Sequence, residues 1–190
     1  MSTQTEFLQR IINLLDKAGI PYMIAGSLGS SFHGEPRTTN DVDLIIDPDK
    51  KQLDSFIQSL GEDYYINPET ARYAFNRGLM FNVIDNHTGW KADLIIRKKK
   101  PFSIGEFQRR RQVSINGLDI WMLSPEDVIL SKLEWSGVQQ SDRQFRDALG
   151  VAIVKWDNLD WDYLKKWAYE LQVDDLLKQL IEKAVELRKT

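Results

Sequence analysis

Hydrophobic residues along this chain switch between two periods, and each switch marks an element. Phe7, Ile11, Ile12, Leu14 and Leu15 recur with the spacing of one helical face, opened by the capping-box pair Thr3 and Glu6 and stopped at Gly19. Residues 21–25 form a short apolar strand that ends in Gly26-Ser27. Val42, Leu44 and Ile46 then alternate with Asp41, Asp43 and Ile45, the two-residue period of a strand. Asp47-Pro48 predicts a helix with Leu53, Phe56, Ile57 and Leu60 inward, closed by Gly61, and Asn67-Pro68-Glu69 starts a short helix to about residue 76. Residues 79–85 and 90–96 read as two strands joined by Asn86-His87-Thr88-Gly89. A second hairpin, 112–115 with 118–123, turns at Asn116-Gly117. From Ser124 the pattern is helical to the end, with helices expected over 125–136, 142–154, 161–171 and 174–188. Five or six strands followed by four helices predict an α+β fold: a sheet-bearing core over 1–123 and a helical C-terminal region over 124–190.

Composition narrows the chemistry. Cysteine is absent and the two histidines, His33 and His87, stand far apart, which excludes disulfide scaffolds, thiol catalysis and the usual zinc sites. Any metal would have to be held by oxygen. No apolar run approaches a membrane span and MSTQTEFLQR lacks a basic stretch followed by an apolar one, so the expectation is a cytoplasmic protein with no membrane partner. The net charge of −3 is unevenly spread. Between Lys91 and Arg111 eight basic residues face Asp93 and Glu106, so this segment carries +6 and the remainder −9. It reads either as two solvated turn edges or as a basic rim for a polyphosphate or a nucleic-acid backbone.

The stretch from Ile24 to Ile46 concentrates the candidate chemistry. Asp41 and Asp43 share one face of a strand, about 6.5 Å apart at roughly 3.3 Å per residue. Carboxylates so placed suit one or two hard divalent ions. Gly26, having no Cβ, lets backbone N–H groups approach an anion, and Ser27 adds a cap and a hydroxyl. D-x-D recurs at Asp47/Asp49 and Asp160/Asp162, but there Asp47, before a proline, and Asp160, before an amphipathic run, read as helix N-caps. Only Asp41/Asp43 lies in an apolar strand, where an unpaired charge is costly. Asp93, on the less apolar face of a later strand, is a candidate third carboxylate.

Further along, Lys132 falls in the middle of the apolar arc Val128, Ile129, Leu133 and Trp135; it either snorkels to the surface or faces a phosphate in the carboxylates' pocket. Arg37, leading into the Asp41 strand, is a turn residue or a phosphate clamp. Arg143 and Asp147 have the spacing of a helix-surface ion pair. His33 reads as structural or incidental, and most of the six tryptophans as core, with Trp90 near a strand start as the alternative candidate for stacking on a base. P-loop, Rossmann and Ser-His-Asp signatures are absent.

Taken together, Gly-Ser at a strand end, D-V-D in the next strand and an aspartate in a later one resemble the nucleotidyltransferase superfamily of DNA polymerase β type. The segments LSPEDVILSKLEW, SDRQFRDALGV and LDWDYLKKWAYELQVDDLL resemble small bacterial relatives of the AbiEii-type toxins. The resemblance implies a mixed sheet flanked by helices with a C-terminal helical bundle. It also implies transfer of NMP from an NTP to a hydroxyl on RNA or tRNA, a small molecule or a protein. Asp41, Asp43 and Asp93 would be the catalytic, metal-binding residues for two Mg²⁺ ions, and Gly26, Ser27, Arg37 and Lys132 would bind the nucleotide's phosphates. A toxin–antitoxin role would add an antitoxin-like protein partner. Asp147 maps to a Lys-Asp pair of those relatives, but Arg146 stands in the lysine's place. The alternative is a non-catalytic nucleotide-binding or partner-binding module with a vestigial site.

Overall fold

The computed structural model describes residues 3–39, 41–115, 117–139 and 141–189. In chain order the elements are α1 (Gln4–Lys17), β1 (Tyr22–Ile24), α2 (Gly26–His33), β2 (Asp41–Ile46), α3 (Lys50–Ser59), β3 (Tyr64–Tyr65), α4 (Pro68–Arg77), β4 (Met80–Asp85) and β5 (Lys91–Ile96). They continue with α5 (Pro101–Gln108), β6 (Arg111–Ile115), β7 (Leu118–Met122), α6 (Pro125–Gln139), α7 (Asp142–Lys155), α8 (Trp161–Glu170) and α9 (Asp174–Leu187). The chain divides into two compact units, 1–25 with 39–122, and 26–38 with 123–190.

The first unit holds a seven-stranded mixed sheet in the order β3-β4-β5-β2-β1-β7-β6. β2 runs parallel to β5 over six residue pairs and antiparallel to β1. Both β1 and β2 have neighbours on each edge; β1 is apolar and wholly buried, whereas β2, the middle strand, buries Val42, Leu44 and Ile46 and keeps its polar face partly open. Phe7, Ile11 and Leu15 of α1 and Leu53 and Phe56 of α3 complete the core with Phe81, Val83 and Leu94. At α1 the expected capping box is present, with Thr3 Oγ1 accepting from the Glu6 N–H. α3 starts later than expected: its N-cap is Asp49, paired reciprocally with Gln52, while Asp47 forms an ion pair with Arg97 at 2.9 Å. Pro48 therefore precedes the cap. Asp160 does cap α8, accepting from the Tyr163 N–H.

The second unit packs α2 with α6 and α7, and α8 and α9 complete the bundle. The Ser-Pro-Glu-Asp start of α6 explains its buried acids. Ser124 Oγ accepts from the Asp127 N–H, Tyr163 donates its hydroxyl to Asp127 at 2.6 Å, and Glu126 accepts the Asp160 N–H. Every one of these groups is thereby satisfied, as burial demands. α7 turns Ala148, Gly150 and Ala152 inward, and small side chains allow close approach. A Cβ on Gly34 would lie 2.7 Å from the backbone nitrogen of Val151. Because backbone cannot swing away as a side chain can, Gly34→Ala is expected to lose about 2 kcal/mol, measured as a lowered denaturant midpoint. An unchanged midpoint would show that the helices part freely.

Two expectations change here. The tryptophans are not core: Trp135 is 50% and Trp121 38% exposed, and Trp156 and Trp161 pack on each other at 4.5 Å. Residues 101–108, within the basic segment, form a helix. Asn116 of the expected Asn-Gly turn lies outside the described residues; Gly117 has φ +80°, as a tight hairpin requires.

Candidate functional site

In the first unit, strand register gathers the charged residues. Parallel pairing sets Asp41 beside Lys91 and Asp43 beside Asp93, and antiparallel β4 sets Asn82 opposite Asp93. Paired residues on neighbouring strands point to the same face, so five polar side chains from three adjacent strands form one patch. Asp93 is buried, with a side chain only 8% exposed, and two groups compensate it. Asn82 donates its amide to Oδ1, and Lys91 donates to Oδ2 at 3.0 Å. The same ammonium lies 3.5 Å from Asp41 Oδ2. Thr39 Oγ1 donates to Asp41 Oδ1 at 2.9 Å. Partial burial alone would push the Asp41 carboxyl up, but the Thr39 hydroxyl and the Lys91 charge outweigh it and hold the carboxyl below its usual range. For Lys91 burial acts in the opposite sense, and Asp93 and Asp41 override it, raising the ammonium's pKa.

The patch differs from three acids converging on a shared point. Among the described residues no three His, Cys, Asp or Glu form a ready metal-ligand group. Lys91 Nζ lies between two of the carboxylates. With Asp43 on the same face, the three carboxylates and one ammonium nevertheless leave the patch an excess of two negative charges on hard oxygen donors, the donor chemistry that suits a divalent cation. Lys91→Met is expected to destabilise the protein in EDTA by about 1 kcal/mol, with Lys91 partly exposed and its pairs screened accordingly. Added Mg²⁺ or Mn²⁺ should restore the melting temperature. A melting temperature indifferent to both changes would show that this patch neither needs nor takes a cation.

In the second unit a cluster forms around Asp147. Arg37 donates Nε to Oδ1 at 3.2 Å and Nη2 to Oδ2 at 3.0 Å, and Lys132 donates Nζ to Oδ2 at 2.8 Å. Side-chain exposures are 25% for Arg37, 7% for Lys132 and 9% for Asp147. The expected Arg143–Asp147 pair is therefore replaced: a buried carboxylate takes the two cations that reach it inside the bundle. Lys132 does not snorkel. Burial pushes the Asp147 carboxyl up, and the hydrogen bonds and charges of Arg37 and Lys132 more than reverse that, so it ionises below the usual carboxylate range. Two cations share one carboxylate, leaving a surplus positive charge. Arg37 also donates to the Ser27 hydroxyl, which joins Ser27 to the cluster. Gly26 begins α2 at φ +55°, a left-handed conformation in which a side chain is strained. His33 is structural, its Nε2 2.8 Å from the Leu123 carbonyl.

Lys91 and Asn82 were not singled out from the sequence as site residues. The two-residue alternation does put Lys91 on the face of Asp93, but its second partner, Asp41, requires the β2–β5 pairing. In the basic segment Arg97 pairs with Asp47, and Arg110 lies against the rings of Phe107 and Trp121, leaving Lys98, Lys99 and Lys100 exposed.

Known structures share this fold. The antibiotic-resistance factor ANT(2'')-Ia in complex with adenylyl-2''-tobramycin aligns with a TM-score of 0.58 at 12% identity, over 90% of this chain and 98% of that one. The lincosamide antibiotic adenylyltransferase LnuA, lincomycin-bound, gives 0.54 at 15% identity over 78% and 96%. An antigenic nucleotidyltransferase-like protein from Paracoccidioides brasiliensis gives 0.56 at 19% over 94% and 88%. These likenesses establish the nucleotidyltransferase fold, a mixed sheet flanked by helices. Residues 4–185 match the family described as nucleotidyltransferase of unknown function (DUF6036), and the chain belongs to that family of enzymes. No curated protein matches the sequence significantly. Among the described residues no helix is long and apolar enough to cross a membrane.

Proposed function

We propose that this nucleotidyltransferase moves an NMP group from an NTP to a hydroxyl acceptor, with Asp41, Asp43 and Asp93 as its metal-binding carboxylates. The observation that carries the reading is the register of β2 against β5, which pairs Asp43 with buried Asp93 on the face that also bears Asp41. Those three residues would hold two Mg²⁺ ions, which when bound withdraw charge from the phosphates and acidify a nearby hydroxyl. The chain's own groups do the rest. Asp93 takes the proton as the acceptor oxygen bonds to the α-phosphorus. The bond from that phosphorus to the bridging oxygen breaks, and pyrophosphate leaves. Gly26 and Ser27 at the head of α2, with Arg37 and Lys132, hold the β and γ phosphates, and the surplus positive charge around Asp147 supports that role.

For the acceptor, the exposed run Lys98 to Lys100 favours RNA, while the small-molecule ligands of ANT(2'')-Ia and LnuA favour a low-molecular-weight hydroxyl compound. The likeness of the C-terminal helices to AbiEii-type toxins adds an antitoxin-like protein as a partner to seek. Purified protein incubated with each α-labelled NTP, Mg²⁺ and cell extract should transfer label to one fraction. Nuclease-sensitive label identifies RNA, and small, nuclease-resistant label a metabolite. Saturable NTP binding without labelling of any fraction would replace this reading with a nucleotide-binding module.

A further inference from the structure

Within the helical unit lies a cavity of about 350 Å³ whose charged lining is unusual. Arg37, Arg143 and Arg146 face it together with Glu35, Asp147 and Ser30. Arg37 and Lys132 both meet Asp147, Lys132 from 2.8 Å, so one carboxylate is shared between two cations. Arg143 and Arg146 are different. Neither forms a hydrogen bond or an ion pair with another described residue, and both are exposed. Three positions apart on α7, they are neighbours on one helix face, so a single ligand group can meet both. Four cations thus stand against two carboxylates in and immediately around a concave site.

Guanidinium forks match phosphate oxygens two at a time, and a hollow with a net excess of positive charge attracts an anion. The size fits a phosphate group with part of the molecule that bears it. Glu35, with its Cγ 3.7 Å from where a Cβ on Gly150 would stand, limits the net positive charge of the lining.

We propose that this cavity is a phosphate-binding site in which Arg143 and Arg146 grip the ligand's phosphate oxygens beside the Arg37–Asp147–Lys132 cluster. The proposed nucleotidyl transfer enters only in the ligand's source, which is either the polyphosphate of the donor or a phosphate carried by the acceptor.

Titration calorimetry of the full chain in EDTA with inorganic tripolyphosphate tests it without metal or turnover, so its result stands whether or not transfer is ever detected. Saturable binding is expected, weakened at least about tenfold in the Arg143→Gln/Arg146→Gln double variant. Because both side chains are exposed, the variant should keep the melting temperature of the natural sequence. Arg143→Lys/Arg146→Lys should bind with intermediate affinity, since the charges remain and the forks are lost. Titration with an NTP in EDTA identifies the source: an equal loss in the double variant means the donor's phosphates, and an undiminished NTP affinity means a phosphate of the acceptor. Equal tripolyphosphate affinity in the natural protein and the double glutamine variant, or no binding to either, overturns the proposal.

Discussion

Asp43→Asn is expected to reduce nucleotidyl transfer by about a thousandfold or more, equivalent to some 4 kcal/mol of transition-state stabilisation. The substitution is nearly isosteric and leaves the backbone pairing of β2 with β1 and β5 in place, including the Ala25 N–H donated to the Asp43 carbonyl at 3.0 Å. It removes one of the three negative charges of the patch, so the loss should fall on cation affinity and on the chemical step. The melting temperature should stay within a few degrees. Asp160→Asn is the matched control from another D-x-D. It alters an N-cap with no part in the patch, and full activity is expected. Initial rates with an α-labelled NTP decide the matter, and an Asp43→Asn enzyme as fast as the natural one would remove the carboxylate patch from the mechanism.

Asp147→Ala should have the largest effect on stability, because it strands the buried ammonium of Lys132 and frees Arg37. Breaking a buried pair by deleting one partner costs about 3 kcal/mol or more. For a chain of this length that corresponds to a melting temperature lower by roughly 6–12 °C. The pH dependence has a definite sign. The Asp147 carboxyl is held below the usual range, so folding gains from its ionisation at every pH above the unfolded value of about 4. That gain disappears as the pH falls through the lower, folded value. Below about pH 4 the natural protein should therefore lose stability faster than Asp147→Ala, and the two denaturant midpoints should approach each other. Midpoints that stay a constant distance apart down to pH 2.5 would contradict the pairing.

Local rules carried the reading a long way, and failed where a partner was remote. Alternation in 41–46 and 91–96 placed Asp41, Asp43 and Asp93 on the polar faces of two strands, because a strand buried on one side shows that in its sequence. Nothing local reveals that those strands are parallel neighbours, so the Lys91 bridge from Asp93 to Asp41 was hidden. The i,i+4 rule joined Arg143 to Asp147. A buried carboxylate instead took Lys132 and Arg37, which stand 15 and 110 residues away in the chain. α5 was concealed by its flanks: Lys100 supplies no side-chain cap, and an exposed basic run precedes Pro101. Lys132 was visible as an anomaly, a cation in an apolar arc, although its partner was not.

The path of the chain between its two units sets how the molecule can be dissected. The backbone leaves the sheet unit after Ala25, contributes thirteen residues to the helical bundle, and returns at Thr39. A gene fragment ending at Met122 would therefore encode the sheet with a loose insert that has lost the helices it packs on, and one beginning at Leu123 would encode a bundle lacking its α2. Neither piece is expected to fold by itself. Limited proteolysis in 34–38 should accordingly disable the bundle even though the scissile bond is remote from it in sequence, and recombination between relatives at residue 122 should yield insoluble hybrids unless the short N-terminal excursion is exchanged along with the tail.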